Sequence, residues 1–285
     1  MSTMRAIQVS QFGGPEQLKL ETVSVPVPKE GEVLIRVMAV GVNPFETHVR
    51  AGEFGPRNMP FTPGSDAAGF VEKVGTGVTE FKAGDRVYTT GTLSGSYAEF
   101  AIAIPQYMSH LSDRLSYAQG ASIGIPYHTA YKALHLRAQA KPGETVLIHG
   151  GSGAVGIASI QAAKAFGLRV IATAGTKGGQ DLVRQHGADA VFCHRGKGYM
   201  DKIKEYTENK GVDIILEMLA DVNLHNDLDL LAVRARVVII GCRGNIEINP
   251  RLTMLKETSI IGMGLMTGSD VSMLRVRKRG GREGE

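Results

Sequence analysis

Tryptophan is absent from the 285 residues, and cysteine occurs twice, as Cys193 and Cys242. Two thiols supply neither a disulfide framework nor a structural zinc set. Both are expected to pack beside strands in a reducing, cytoplasmic setting. No apolar run reaches the roughly 20 residues that a membrane-crossing helix needs, so no membrane partner is expected. Met1–Gln11 lacks the basic start and apolar core of a secretory leader. A broad basic surface is also missing. The net charge is +4, but five basic residues against two acids fall from Arg275 onward, leaving the rest nearly neutral. The pI of about 9.0 is therefore poor evidence for a nucleic-acid face. What the chain has in quantity is glycine, 36 residues.

The informative glycines lie in Thr145–Gly156, which reads Thr-Val-Leu-Ile-His-Gly-Gly-Ser-Gly-Ala-Val-Gly. Thr145–His149 follows the turn pair Pro142-Gly143 and reads as a buried strand. Gly150, Gly153 and Gly156 then repeat as G-x-x-G-x-x-G before Ile157–Phe166, an Ala-rich stretch of helical character. A Gly-rich triplet alone is a weak signal. With a strand before it, a helix after it and a second strand at Arg169–Thr173, it predicts a dinucleotide site whose diphosphate meets helix N-terminal amides.

Nicotinamide sites that take NAD place an acid at the end of the second strand, about 20 residues on, to hold the ribose 2′-hydroxyl. No acid occurs between Gly156 and Asp181, and the strand ends in Ala174-Gly175-Thr176-Lys177. Small residues leave room for a 2′-phosphate that Lys177 can neutralise, so NADPH is the expected cofactor. Lys177 can equally be a solvated loop lysine; the missing acid argues independently of it.

Before Tyr117 the chain is a series of short extended runs punctuated by Gly and Pro: Met4–Val9, Leu18–Val25, Glu32–Val40, Ala67–Val74, Asp85–Thr89 and Gly95–Pro105. A helical turn is expected at Phe45–Arg50. This texture predicts a barrel-like β domain. Tyr117–Ile123 and Tyr127–Leu136 read as helical. From Thr145 strands and helices alternate, with strands at Ala190–Cys193, Val212–Met218, Val237–Gly241 and Ser259–Leu265. Helices are expected at Gly179–His186, Met200–Thr207 and Leu224–Leu231. That order predicts a doubly wound parallel sheet.

Taken together, Phe12-Gly-Gly-Pro-Glu, Gly41-Val-Asn-Pro-Phe-Glu-Thr, Thr62-Pro-Gly-Ser-Asp, Gly84-Asp-Arg-Val, Gly95-Ser-Tyr-Ala-Glu, Ile123-Gly-Ile-Pro-Tyr-His-Thr-Ala-Tyr and Glu247-Ile-Asn-Pro-Arg resemble the medium-chain dehydrogenase/reductase superfamily. The resemblance is to its zinc-free, zeta-crystallin-like quinone oxidoreductase branch and runs from about Met4 to Leu265. It implies an α/β protein with a GroES-like β-barrel catalytic domain over 1–123. A Rossmann doubly wound parallel-sheet nucleotide domain over 124–265 and a divergent, disordered basic tail over 266–285 complete the expected organisation. Nicotinamide and substrate are expected in the cleft between domains.

Within this superfamily, zinc alcohol dehydrogenases carry Cys, His and Cys where Asn43, Ser65 and Ile125 stand here. Amide, hydroxyl and aliphatic side chains supply no such ligands, so no metal is expected. Without a Lewis acid, an acceptor that delocalises its own charge is favoured over an alcohol. The resemblance implies NADPH-dependent reduction of quinones of the ortho type, with one-electron products described in this branch. An alkenal (enone) reductase is the alternative enzyme, and an AU-rich RNA-binding or lens crystallin role the non-enzymatic one. No RNA module is present in the sequence. Tetramers are implied by relatives.

The resemblance also implies residue roles. Asn43, His48 and Thr129 stand near nicotinamide and substrate, though relatives often carry Tyr at the position of His48. Gly150, Ser152, Gly153, Ala154, Val155 and Gly156 line the diphosphate. Gly175, Lys177 and His194 face the adenosine half. Asn223, Ile240, Gly241, Cys242, Arg243, Met263, Gly264 and Leu265 match further cofactor-contacting stretches. After Leu265 the resemblance stops, and Val276–Glu285 has little apolar content. The expectation there is a catalytic domain lacking its C-terminal completion, with apolar surface left uncovered.

Overall fold

The computed structural model describes residues 2–265. The expectations placed on 266–285, and the completion they bear on, lie outside the described residues. The chain divides into two units, one ending at Ile125 and the other beginning at Pro126.

In the N-terminal unit, β1 (Thr3–Gln8) pairs antiparallel with β2 (Lys19–Ser24). Then come β3 (Val33–Val40), α1 (Pro44–Ala51), β4 (Ala67–Val74), β5 (Arg86–Thr89), β6 (Phe100–Ala103), β7 (Met108–His110) and α2 (Tyr117–Ala121). The last five strands form an antiparallel sheet in the order β6-β3-β4-β5-β7. Alternation puts Val33, Ile35, Val71, Val87, Ala103 and Met108 into one core, where each large side chain contributes about 1.5–3 kcal/mol by leaving water. The expected strand Gly95–Pro105 is shorter, confined to Phe100–Ala103. Gly95, at φ +85, lies so close to Thr62 that a Cβ would fall 2.0 Å from its carbonyl oxygen. The amides of Ser96 and Tyr97 bond to the carbonyls of Gly64 and Pro63 instead of to a neighbouring strand.

Helix α3 (Gly124–Tyr131) carries the unit boundary. The helix expected over Tyr127–Leu136 does not stay α-helical: Lys132–Arg137 is wound as a π-helix, a local widening often found at functional sites. The C-terminal unit continues with β8 (Thr145–Ile148), α4 (Ala154–Ala165), β9 (Arg169–Thr173), α5 (Lys177–Gln185), β10 (Ala190–Phe192) and α6 (Tyr199–Tyr206). It ends with β11 (Val212–Glu217), α7 (Ala220–Leu230), β12 (Leu231–Ile239), α8 (Arg251–Lys256) and β13 (Ser259–Gly262). All six strands are parallel, in the order β10-β9-β8-β11-β12-β13. Strand order reverses between β8 and β11, and ligands of such sheets sit outside the strands' carboxyl ends at that reversal.

Both faces of this sheet are covered, as parallel sheets require. Val146, Ile148, Val170, Ala172, Ile214 and Leu216 point into one core, Leu147, Ile171 and Ile215 into the other. Strand β12 begins six residues before the expected Val237. An irregular pairing to β11 and a left-handed Arg234 (φ +61) disguise its start. Arg236 disguises it further, yet its charge is matched. The guanidinium donates to both carboxylate oxygens of Glu144 at 2.7 Å, to the Ala138 carbonyl at 2.8 Å and to the Asp213 carbonyl at 3.2 Å. Among the described residues no helix is long and apolar enough to cross a membrane.

Candidate functional site

The loop between β8 and α4 is shaped by its glycines unequally. Gly150 takes φ +61, a left-handed conformation that suits glycine. A Cβ on Gly156 would lie 2.5 Å from the Gly150 carbonyl oxygen and 2.7 Å from Gly151, so α4 can approach the loop only with glycine there. Gly153 is permissive, with φ −79 and its nearest neighbour at 3.4 Å. It is the N-cap of α4, and no side chain caps that terminus. The first amides of α4, from Ala154, Val155 and Gly156, therefore have no capping side chain, and Ser152 stands next to them in the chain. The Gly150 and Gly151 amides anchor the loop sideways, on Thr173 Oγ1 at 3.2 Å and the Thr173 carbonyl at 2.7 Å.

At the end of β9, Gly175 has no room for a side chain. A Cβ would meet His194 Nε2 at 2.6 Å and Arg195 Nε at 2.8 Å. His194 and Arg195 thus cover the small residue that sequence reasoning reserved for a 2′-phosphate. Lys177 differs from its expected loop setting. It opens α5, is 91% exposed and lies 3.6 Å from Asp181, which also takes Arg184 at 3.0 Å. The first acid after Gly156 is therefore engaged on the helix by two cations.

The parallel sheet brings the remaining cofactor candidates to the same carboxyl edge. Asn223 Nδ2 donates to Glu217 Oε1 at 3.1 Å. The Ile240 and Gly241 amides bond to the Glu217 carbonyl, and a Cβ on Gly241 would lie 2.2 Å from the Met218 carbonyl oxygen. The Arg243 amide donates to Asp221 Oδ1 at 2.9 Å. Cys242, expected to pack beside a strand, is exposed, with Sγ 3.1 Å from the Gly244 carbonyl; Cys193 is half-buried. Met263 continues β13 alongside Ile239. Lys132 Nζ, delivered by the π-helical turn, bonds to the carbonyls of Gly264 (2.8 Å) and Leu265 (3.2 Å). Burial holds the Lys132 ammonium below its usual range, with the charge of Arg137 as a smaller cause.

Beneath the glycine loop lies a buried polar cluster that the sequence did not announce. His149 Nε2 is 2.9 Å from Asp227 Oδ1 and 3.7 Å from Glu217 Oε2, and its Nδ1 is 3.4 Å from Thr173 Oγ1. Glu217 Oε1 also accepts the Leu219 amide.

In the N-terminal unit, Asn43 is the N-cap of α1 and Glu46 reaches back to its amide at 2.8 Å, as in a capping box. Glu46 also accepts the Ser65 amide at 2.8 Å and the Tyr97 hydroxyl at 2.5 Å. Asn43 Nδ2 donates to Asp66 Oδ2 at 3.0 Å, and the Ile125 amide donates to Asp66 Oδ1 at 2.9 Å. Asn43, Ser65 and Ile125 are thus held by two buried carboxyl groups. Burial, opposed by the bonds from Asn43 and Ile125, pushes Asp66 up to about 7. A cavity of about 440 Å³ opens beside Glu46 and Ser65, walled by Phe45, Arg57, Phe61 and Leu93. His48 is not drawn into this network. Its Nδ1 lies 2.5 Å from Glu53 Oε2 and its ring stands edge-on to Phe54. Thr129 is buried in α3, in the C-terminal unit.

Residues 29–113 match the family pattern described as "Alcohol dehydrogenase GroES-like domain", and residues 154–275 the one described as "Zinc-binding dehydrogenase". The human protein named quinone oxidoreductase is 54% identical over 268 residues, covering 93% of this chain and 82% of that protein. The chain belongs to the quinone oxidoreductase family of the medium-chain dehydrogenase/reductase superfamily. It is an oxidoreductase with a GroES-like and a Rossmann-like part. A Pseudomonas aeruginosa quinone oxidoreductase is 33% identical over 238 residues, 83% of this chain and 73% of that protein. A mycobacterial protein solved in complex with NADPH superposes with a TM-score of 0.88 at 30% identity, over 98% of this chain and 87% of that one. A Pseudomonas syringae quinone oxidoreductase gives 0.86 at 26% identity, over 97% and 86%.

Within this oxidoreductase, sequence reasoning missed Arg195, Glu46 and Asp66. Arg195 adjoins His194, and a search for cations near the end of β10 would have found it. Glu46 stands three residues after Asn43, the spacing of a capping box. Asp66 carries no local signal, because its partners are 23 and 59 residues distant.

Proposed function

We propose that this oxidoreductase reduces quinones with NADPH. The observation that carries the cofactor choice is the end of β9, where Gly175 lies under His194 and Arg195 and no acid stands ready for a ribose 2′-hydroxyl. The uncapped amides of Ala154, Val155 and Gly156 bind the diphosphate. Arg195, with the more exposed charge of Lys177, neutralises the 2′-phosphate, and His194 offers it a neutral imidazole N–H. Asn223, Ile240–Arg243 and Met263–Leu265 shape the edge on which the nicotinamide half lies. When bound, the reduced nicotinamide supplies a hydride. The cavity beside Ser65 offers Phe45, Phe61 and Leu93 as apolar walls for a flat ring. Arg57, stacked 5.3 Å from the Phe61 ring, and Thr92 are polar groups for its carbonyl oxygens. The relatives' names support a quinone as the acceptor.

Fluorescence titration with NADPH and NADH in parallel tests the cofactor. NADPH is expected to bind at least about tenfold more tightly, the equivalent of one charge-assisted contact to the 2′-phosphate. Arg195→Ala is expected to remove most of that preference. Lys177→Ala, at a fully solvated position shared with Asp181, should change it less than about threefold. Equal binding of the two nucleotides by the unaltered chain overturns the NADPH reading. Turnover of an ortho-quinone beside an alkenal tests the acceptor; preference for the alkenal replaces a quinone reductase with an enone reductase.

A further inference from the structure

Glu217, Asp227 and His149 are all buried, and their polar atoms lie within 4.8 Å of one another. Glu217 Oε2 and Asp227 Oδ2 each have no hydrogen-bond partner among the described residues. Two ionised carboxylates side by side in an apolar core, each with an orphan oxygen, would be strongly unfavourable. One proton removes the problem. Placed on Glu217, it can be donated to Asp227, with which its side chain interacts by hydrogen bonding, and the orphan oxygens gain a partner. His149, kept neutral by burial against the opposing charge of Glu217, then donates from Nε2 to Asp227 Oδ1 and presents Nδ1 to the Thr173 hydroxyl. Thr173 in turn accepts the Gly150 amide. At the other end, Glu217 Oε1 accepts the Leu219 amide and Asn223 Nδ2.

We infer that Glu217 and Asp227 share one proton and that this proton positions the glycine loop through His149 and Thr173, and Asn223 through Glu217 Oε1, for the nucleotide. The inference rests on the nucleotide-site reading proposed above. It makes His149, Glu217 and Asp227 positioning residues: none is placed against the ligand, and each acts through a group that is. Burial pushes both carboxyl groups up to about 7; the charge of His149 opposes this in Glu217, and the bond from Glu217 opposes it in Asp227. The other titratable groups that feel the cluster are Tyr199 and His194. Burial, with the charges of Asp227 and Glu217, pushes Tyr199 up to about 12, while burial, Arg195 and His149 hold His194 down. A carboxyl group raised in this way favours the ordered site at low pH and loses that contribution as pH rises through about 7. Ionisation would add a negative charge directly beneath a loop built for a polyanion and would leave the two carboxylates repelling each other.

The test uses the intact chain in two measurements. Infrared spectra of protein carrying isotopically labelled glutamate should show a protonated glutamate carboxyl near neutral pH, absent in Glu217→Gln. Labelling glutamate keeps Asp66, which titrates in the same range, out of the signal. NADPH affinity of the unaltered chain should fall about tenfold between about pH 6 and pH 8, the response to one ionisation. Glu217→Gln, whose amide donates to Asp227 and accepts from Leu219 and Asn223, should stay within about twofold across that range. A glutamate fully ionised at about pH 6, or a Glu217→Gln variant that loses affinity at every pH, overturns the proposal. So does a divalent metal retained in stoichiometric amount by the purified protein, which would make the trio a cation site. If the unaltered chain binds neither NADPH nor NADH, the nucleotide reading fails and the positioning role with it. The infrared band, read against Glu217→Gln, still decides the proton.

Discussion

Glu46→Ala is expected to destabilise the N-terminal unit by about 3–5 kcal/mol, because it strands several donors at once. The carboxylate is 5% exposed and accepts the Asn43 amide, the Ser65 amide and the Tyr97 hydroxyl. These three groups come from α1, the segment before β4 and the loop crossing it, so the loss is not local to one turn. Glu46→Gln keeps one acceptor oxygen and turns an NH₂ toward a donor, so about half of the loss should remain. Tyr97→Phe removes one of the three bonds and should cost about 1–2 kcal/mol. Denaturant unfolding read by hydrogen exchange in β3 and β4 measures all three variants. A Glu46→Ala protein within about 1 kcal/mol of the original would show that water replaces the carboxylate and that the network is not structural.

Gly156→Val is expected to weaken nucleotide binding by about 100-fold or more, since the branched side chain forces the loop and α4 apart. The obstruction is backbone: the Gly150 carbonyl oxygen at 2.5 Å and Gly151 at 2.7 Å cannot swing aside as a flexible side chain would. Gly153→Ala supplies the contrast. Its backbone is ordinary and its nearest atom is 3.4 Å off, so affinity should change less than about threefold. Gly150→Ala should fall between, costing about 1–2 kcal/mol for the left-handed conformation alone. NADPH titration of the three variants, with circular dichroism to verify folding, ranks them. Equal effects at Gly153 and Gly156 would mean that the repeat matters only as a flexible turn.

The nucleotide unit was legible because its signals are local. Val146, Leu147 and Ile148 are consecutive and apolar, and the glycines follow at once. The doubly wound order emerges from alternation that any window of thirty residues displays. Pairwise chemistry was not legible. His149 looked like the last residue of a strand, and its partners Glu217 and Asp227 lie 68 and 78 residues further on. Arg236 lies just before the expected strand Val237–Gly241, and the carboxylate that neutralises it is 92 residues away. Lys177, read at a strand end or as a solvated loop lysine, is solvated but opens α5, which Thr176 caps, and shares Asp181. Strand β7 and helix α8 span three and six residues, too short for a periodic signal to outweigh turn chemistry.

Arg236 has a further consequence for how the protein is made. A chain synthesised from its N-terminus presents Glu144 and the Ala138 carbonyl long before the guanidinium exists, since these partners precede it by 92 and 98 residues. Through the emergence of β8, β9, β10 and β11, the amino ends of the first-formed strands carry an unmatched carboxylate and open carbonyls. The fastening arrives only with β12. It completes the nascent sheet late, at the end remote from the glycine loop, and its contribution falls on the rate at which the finished unit comes apart more than on the rate at which it assembles.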